Sequence, residues 1–169
     1  MTIILINMKI EQLPKIIPVF PLSNFIIFPK TTVPLNIFEP RYIEMVNESM
    51  KMNKIIGMIQ PKHFTDNISG PTLHDIGCLG EITKIKKTKD NRYEIELKGI
   101  IRFQTVKEIS STKNFREYEV DYQNFYDDLL DKKEELKFKD LELIFRDFKT
   151  LFEKRGFIIN WQELEKQSL

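Results

Sequence analysis

Residues 34–42 read P-L-N-I-F-E-P-R-Y. At Pro40 the run turns from an extended pattern into a helical one, and the rest of the chain is organised around that corner. Before it, prolines at 14, 18, 21, 29 and 34 cut the first third into short pieces. Each proline removes a ladder donor and pushes the residue before it out of the helical region, which suits edge strands and corners. Residues 16–22 read as a strand, and residues 25–28 and 33–37 as further short extended segments. After Pro40, Ile43, Val46 and Met50 recur at helical spacing, with Glu44, Asn47, Glu48 and Lys51 on the other faces. Pro40 fits the first helical position, where its missing N–H costs nothing. Phe38 and Ile43 stand at the two positions of a hydrophobic staple. Glu39 is a poor N-cap by type, although a carboxylate at a helix N-terminus is electrostatically favoured. The acid, base and phenol of F-E-P-R-Y are thereby accounted for as a corner, without catalysis.

Beyond the helix, residues 55–60 form a short apolar run and read as a buried strand. Residues 62–77 are polar and turn-rich, with Gly70-Pro71, and read as a surface loop. Residues 79–88 and 92–98 then make a hairpin about Lys89-Asp90-Asn91; in its second arm Tyr93, Ile95 and Leu97 alternate with Glu94, Glu96 and Lys98. A third strand follows Gly99 to about Ile109, and a fourth holds Tyr118, Val120 and Tyr122. Consecutive antiparallel strands with one wet face point to a small barrel. The last 40 or so residues switch to helix. Leu141, Ile144, Phe145, Phe148, Leu151 and Phe152 fit one face, Lys154, Arg155 and Gly156 are a stop signal, and Asn160 with Glu163 makes a capping box. The boundaries are an extension over 1–15, a β domain over 16–127 and a helical appendage over 128–169.

Composition bounds the chemistry. The chain has 169 residues, 41% apolar and 30% charged, with thirteen Phe, enough for a core without metal or disulfide staples. Cys78 is the one cysteine, and the net charge is +1, so neither an internal disulfide nor a global field toward nucleic acid or anionic lipid is expected. The N-terminal apolar run, residues 3–6, is shorter than a secretory h-region of about 7 residues or more, and no run approaches the roughly 18 residues of a membrane span. A cytoplasmic protein is expected.

No phosphate-cradling glycine loop and no nucleophile elbow occurs, so no cofactor is expected. His63, His74 and Cys78 lack the spacing of a metal site. Ser23, Ser110 and Ser111 have no base nearby in sequence. Asp127, Asp128 and Asp131, beside Lys132 and Lys133, read as a solvated linker or a helix start. The basic hairpin over residues 84–92 carries Lys84, Lys86, Lys87, Lys89 and Arg92. It could contact phosphates, but Glu81, Glu94 and Glu96 flank it, and a lysine-rich edge also keeps sheets from pairing.

Four blocks carry a wider pattern: I-P-V-F-P-L-S-N-F-I-I-F-P (17–29), P-L-N-I-F-E-P-R-Y (34–42), I-G-C-L-G-E-I (76–82) and Y-E-I-E-L-K-G-I-I-R-F (93–103). In this order they resemble the Lon substrate-binding family, the N-terminal domain of ATP-dependent Lon proteases, which also exists as short stand-alone proteins. The resemblance implies a mainly β fold, a PUA-like pseudo-barrel of about six strands with one inserted helix and a short C-terminal helical segment. It makes Phe38, Glu39, Pro40, Arg41, Tyr42, Gly99, Arg102 and Phe103 a structural family motif, with Glu39 paired to Arg41 or Arg102 at the corner. It implies no catalytic, cofactor-binding or metal residues, since the chain is far too short for the ATPase and Ser-Lys protease modules. The implied role is binding unfolded or flexible polypeptides, or adaptors, in protein quality control, with a Lon-type protease as a further partner. The alternative is RNA binding through the basic hairpin; an unrecognised hydrolase is the third reading. Stand-alone members usually continue past this point, so the chain is expected to be slightly truncated. No substrate-binding residue is readable from sequence.

Overall fold

A computed structural model describes residues 10–63, 71–130 and 138–156. The chain divides into two compact units, Met1–Asp131 and Lys132–Leu169. In the first, the elements are β1 (Ile16–Pro21), β2 (Thr32–Ile37), α1 (Pro40–Lys51), β3 (Ile55–His63), β4 (Thr72–Lys87), β5 (Tyr93–Ile109) and β6 (Glu117–Asp121), with short 3-10 turns at Ile10–Gln12 and Gln123–Leu129. The sheet runs β2-β5-β4-β3-β1-β6, and β6 also pairs with β5. Five strands are therefore linked in a circuit, while β2 has β5 as its one neighbour among the described residues and keeps the six from forming a full barrel. All pairings are antiparallel except β1 with β3. The fold is the mainly β pseudo-barrel expected.

Strand β5 bridges two cores. Its first half, residues 93–98, pairs with β2, and its last part, residues 104–109, pairs with β6. Between them Leu79 of β4 faces Ile101 while Gly80 faces Gly99, which leaves Ile100 as the extra residue of a β-bulge. Before the bulge, Ile95 and Leu97 face a core shared with Tyr42, Met45 and Val46 of α1. After it, Ile101 and Phe103 join Val19, Ile59, Leu79 and Val120 in the core inside the strand circuit. The one-residue bulge has swapped the faces.

Several boundaries depart from the sequence reading. The stretch over 62–77 is a loop in part: β3 runs on to His63 and β4 starts at Thr72. Pro61 sits where the β3–β4 register slips, a place that needs no ladder donor. Gly99 ends no strand, since β5 continues through it as one element. Residues 25–28 belong to no strand. Phe38 stays 62% exposed, under the Arg92 guanidinium at 5.9 Å, so the staple buries little. The face α1 buries centres on Tyr42, Met45, Val46 and Ser49, with Ile43 and Met50 only partly covered.

In the second unit, α2 (Phe138–Lys154) ends as its stop signal predicts, with Gly156 left-handed at φ 75° and its N–H on the Glu153 carbonyl. Ile144, Phe148 and Leu151 are about half exposed, and the Phe148 and Phe152 rings stack at 5.6 Å. The side chains of Leu141 and Phe145, and the capping box at Asn160 and Glu163, lie outside what is described.

Candidate functional site

The loop over residues 22–31, between β1 and β2, forms one wall of an open groove. It begins at Leu22, whose N–H bonds the Ile59 carbonyl, and turns at Asn24, which takes φ 58°. It closes on a 28–31 turn, in which the Thr31 N–H and hydroxyl both donate to the Phe28 carbonyl. Gly99 receives this turn: its N–H donates to the Thr31 carbonyl and its carbonyl accepts from the Lys30 N–H. A Cβ on Gly99 would collide with the Phe28 carbonyl. The glycine of K-G-I-I-R-F is thus required by a close backbone approach.

Against this wall, Met58 and Gln60 of β3, His74, Ile76 and Cys78 of β4 and Arg102 of β5 complete a groove of about 360 Å³. Ile27 anchors the wall in the α1 core, 4% exposed, while Phe25, Ile26, Phe28 and Ile76 remain 39–61% exposed. Four large apolar side chains around one depression are more than scattered surface hydrophobics.

The polar rim is paired. Arg102 donates from Nε and Nη2 to Asp128, at 2.9 and 2.8 Å, its backbone N–H adds 3.0 Å to the same carboxylate, and its guanidinium lies 4.8 Å over Phe125. Asp128 has an 11% exposed side chain. Burial alone would raise its pKa, yet the Arg102 hydrogen bonds overcome this and hold it below the usual carboxylate value. Asp128, in the 3-10 turn over Gln123–Leu129, is therefore a structural anchor, which corrects the solvated-linker reading. Lys30, left-handed at φ 67°, reaches the Leu130 carbonyl at 2.6 Å. At the other side Lys62 pairs with Asp75 at 2.8 Å.

The remaining candidates fall into place around this groove. Cys78 is buried with its thiol on the Leu79 carbonyl at 3.6 Å, and burial pushes its pKa up to about 12, so it stays a thiol at neutral pH and is a poor nucleophile. His74 stands on the same strand, exposed. No group of three His, Cys, Asp or Glu among the described residues is placed to hold a metal. Ser110 and Ser111 lie in an exposed loop. Glu39 pairs with Arg41 at 2.7 Å, with side chains 42% and 51% exposed, and Arg41 lies 4.5 Å over the buried Tyr42 ring. Tyr42 meets Phe20 edge-on at 4.5 Å, and Phe103 fills the inner core. Glu39 thus finds Arg41, while Arg102 goes to Asp128. In the basic hairpin, Lys84 bonds Glu96, Lys86 bonds Glu94 and Arg92 bonds Asp90, so three of its five cations are neutralised. No helix of the described residues is long and apolar enough to cross a membrane.

Sequence reasoning named no groove residue as binding. The signal was there in F-I-I-F at 25–28, an apolar run too short for a periodic element and followed by a proline.

Comparison with known proteins bears on the family and the fold. The family model described as the ATP-dependent protease La (LON) substrate-binding domain matches residues 16–169. The Lon protease of Desulfosudis oleivorans is 34% identical over 101 residues, 59% of this chain and 12% of that protein. The Lon protease of Dictyoglomus thermophilum is 24% identical over 149 residues, 88% of this chain and 18% of that one. The chain thus spans a small fraction of the length of these relatives. Among solved structures, a Lon N-terminal domain protein from Xanthomonas campestris superposes with a TM-score of 0.51 at 22% identity, over 63% of this chain and 59% of that one. The N-terminal domain of a Mycobacterium avium complex Lon protease gives 0.51 at 13% identity, over 90% and 74%. At these identities the superpositions speak for the fold alone.

Proposed function

The chain belongs to the ATP-dependent protease La (LON) substrate-binding domain family, and on that premise we propose that it is a non-enzymatic module that captures flexible polypeptide in protein quality control. It acts alone or as an adaptor that delivers clients to a Lon-type protease, in the cytoplasm. What matches is the substrate-binding domain, which supports a binding role rather than a chemical one. The observation that carries the reading is the groove edged by exposed Phe25, Ile26, Phe28 and Ile76. Flexible chains offer apolar side chains that an exposed groove can bury.

Photo-crosslinking of the full chain to an unfolded client, with competition by unlabelled client, tests this. Saturable capture is expected, and Ile26→Ser/Phe28→Ser should weaken it about tenfold or more, as loss of central apolar anchors does. Both side chains are mostly exposed, so thermal unfolding should hardly move. Absence of saturable binding to any unfolded polypeptide would sink the proposal. RNA binding through the hairpin finds less support, because three of its five cations already hold acids and fewer are left to neutralise phosphates.

A further inference from the structure

The chain carries a segment of the kind that an apolar groove takes from a client. Residues 2–6 read T-I-I-L-I, and Ile3, Ile4, Leu5 and Ile6 put four large aliphatic side chains in a row, three of them β-branched. Such a composition favours extended backbone. The segment precedes Ile10, where the described chain starts, and falls in the same compact unit as the groove, Met1–Asp131.

The place where the described chain starts puts the groove within reach. The Pro14 carbonyl accepts a hydrogen bond from the Tyr122 hydroxyl at 2.7 Å. Leu13 shares the inner core with Tyr122 and Phe125, and Ile10 packs against it. Tyr122 follows Asp121, which pairs with Gln104 of β5, two residues past Arg102 in the groove wall. From Pro14 across β6 to β5 is two strand spacings, about 10 Å. Nine residues, 1–9, span up to about 30 Å when extended. On the groove side, the N–H and C=O groups of Ile26 and Ile27 have no partner among the described residues, in a wall that is neither helix nor ladder strand. Phe25, Ile26, Phe28 and Ile76 leave apolar surface open beside them. An extended segment can pair with those backbone groups and bury its side chains on that surface.

We propose that residues 2–6 occupy the groove of their own chain as an internal competitor, which a client must displace. The proposal rests on the polypeptide-binding reading of the groove. A short tether holds its ligand at a local concentration of about 1 mM. A segment with an intrinsic Kd of about 0.1 mM then fills about nine-tenths of the grooves, and the apparent client affinity falls about tenfold.

Two measurements on the full chain test this. A nitroxide attached in Thr2→Cys marks the segment, while Cys78 is buried and stays unlabelled. We expect the nitroxide to broaden the amide signals of Ile26, Phe28 and Ile76. That broadening should disappear in Ile4→Ser/Ile6→Ser and under excess carboxymethylated lactalbumin, a chain that stays unfolded. By fluorescence anisotropy the serine variant should bind the same labelled chain about tenfold tighter than the unaltered protein does. Groove signals that never broaden, or broaden equally in the serine variant, overturn the proposal. Broadening that passes from labelled copies to unlabelled ones in a mixture also overturns it, because the occupant is then a second copy. Client affinity that does not rise in the serine variant overturns the competition. If no unfolded chain binds even that variant, the polypeptide-binding reading falls, and the broadening decides separately whether the segment sits in the groove.

Discussion

Gly99 and Glu39 both belong to the quoted blocks, yet the structure asks very different things of them. At Gly99 the Phe28 carbonyl occupies the space a side chain would need. Gly99→Ala should cost about 1–3 kcal/mol, the usual range for overpacking, and should also weaken client capture, because the wall of the groove rests on that contact. Chemical denaturation and crosslinking measured together would check this; an unchanged midpoint would argue against the close approach. Glu39, by contrast, pairs with Arg41 at the open surface. Glu39→Gln should cost no more than about 1 kcal/mol in the same assay, far below the loss when one partner of a buried pair is removed. The proline and the helix start at this corner were legible in sequence because they follow local rules, whereas the partner of Glu39 was left open between Arg41 and Arg102. The need for glycine at position 99 was not, because the colliding carbonyl lies 71 residues away in the chain.

Among the elements, β2 shows how proline placement protects a sheet. The bond from the Gly99 N–H to the Thr31 carbonyl sets the alternation along β2. Val33 and Leu35 then turn their backbone groups to β5, and Pro34 turns its missing N–H to the open edge. An edge strand without that donor is a poor template for a second chain. Pro34→Thr should therefore promote concentration-dependent self-association with little change in stability, which light scattering across a dilution series would detect. A strictly monomeric variant would show that some other feature guards the edge. Pro34 marked the edge correctly, but Pro18 and Pro21 lie in β1, which pairs with both β3 and β6, and the same rules misread β3, β4 and β5. Pro61 falls at a register slip, where a proline does no harm, and Gly99 at a bulge in a continuous strand. Local punctuation cannot tell an element's end from an irregularity that pairing carries through.

For the molecule as a whole, the ion pairs tie loops and turns to the sheet more than they feed its cores. Asp128 fixes the 123–129 turn to β5 through Arg102. Glu108 holds Arg116 by two hydrogen bonds and accepts one from Tyr118, and the Arg116 bonds hold its carboxyl below the usual range. Carboxyls depressed in the fold contribute stability that is present above their unfolded values, about 4, and lost as pH falls through the folded ones. Asp128→Asn should then cost about 2 kcal/mol near neutrality, as for a hydrogen bond to a charged group. The gap to the unaltered protein should close in acid, once Asp128 itself is protonated. Thermal unfolding from pH 7 to 3 would follow the convergence; a gap constant across that range would mean the carboxylate's charge is irrelevant. Asp128 was hidden in sequence among Asp127, Asp131 and two lysines, since only the fold distinguishes the one carboxylate that meets Arg102.

The bulge at Ile100 has a last consequence. Residues on either side of it are counted in opposite phase, with odd positions serving the helix-covered core before it and the inner core after it. Losing that single residue would act on the fold as a frameshift acts on a reading frame. Phe103 and every inward side chain downstream in β5 would be delivered to the wrong side of the sheet, although no other residue had changed.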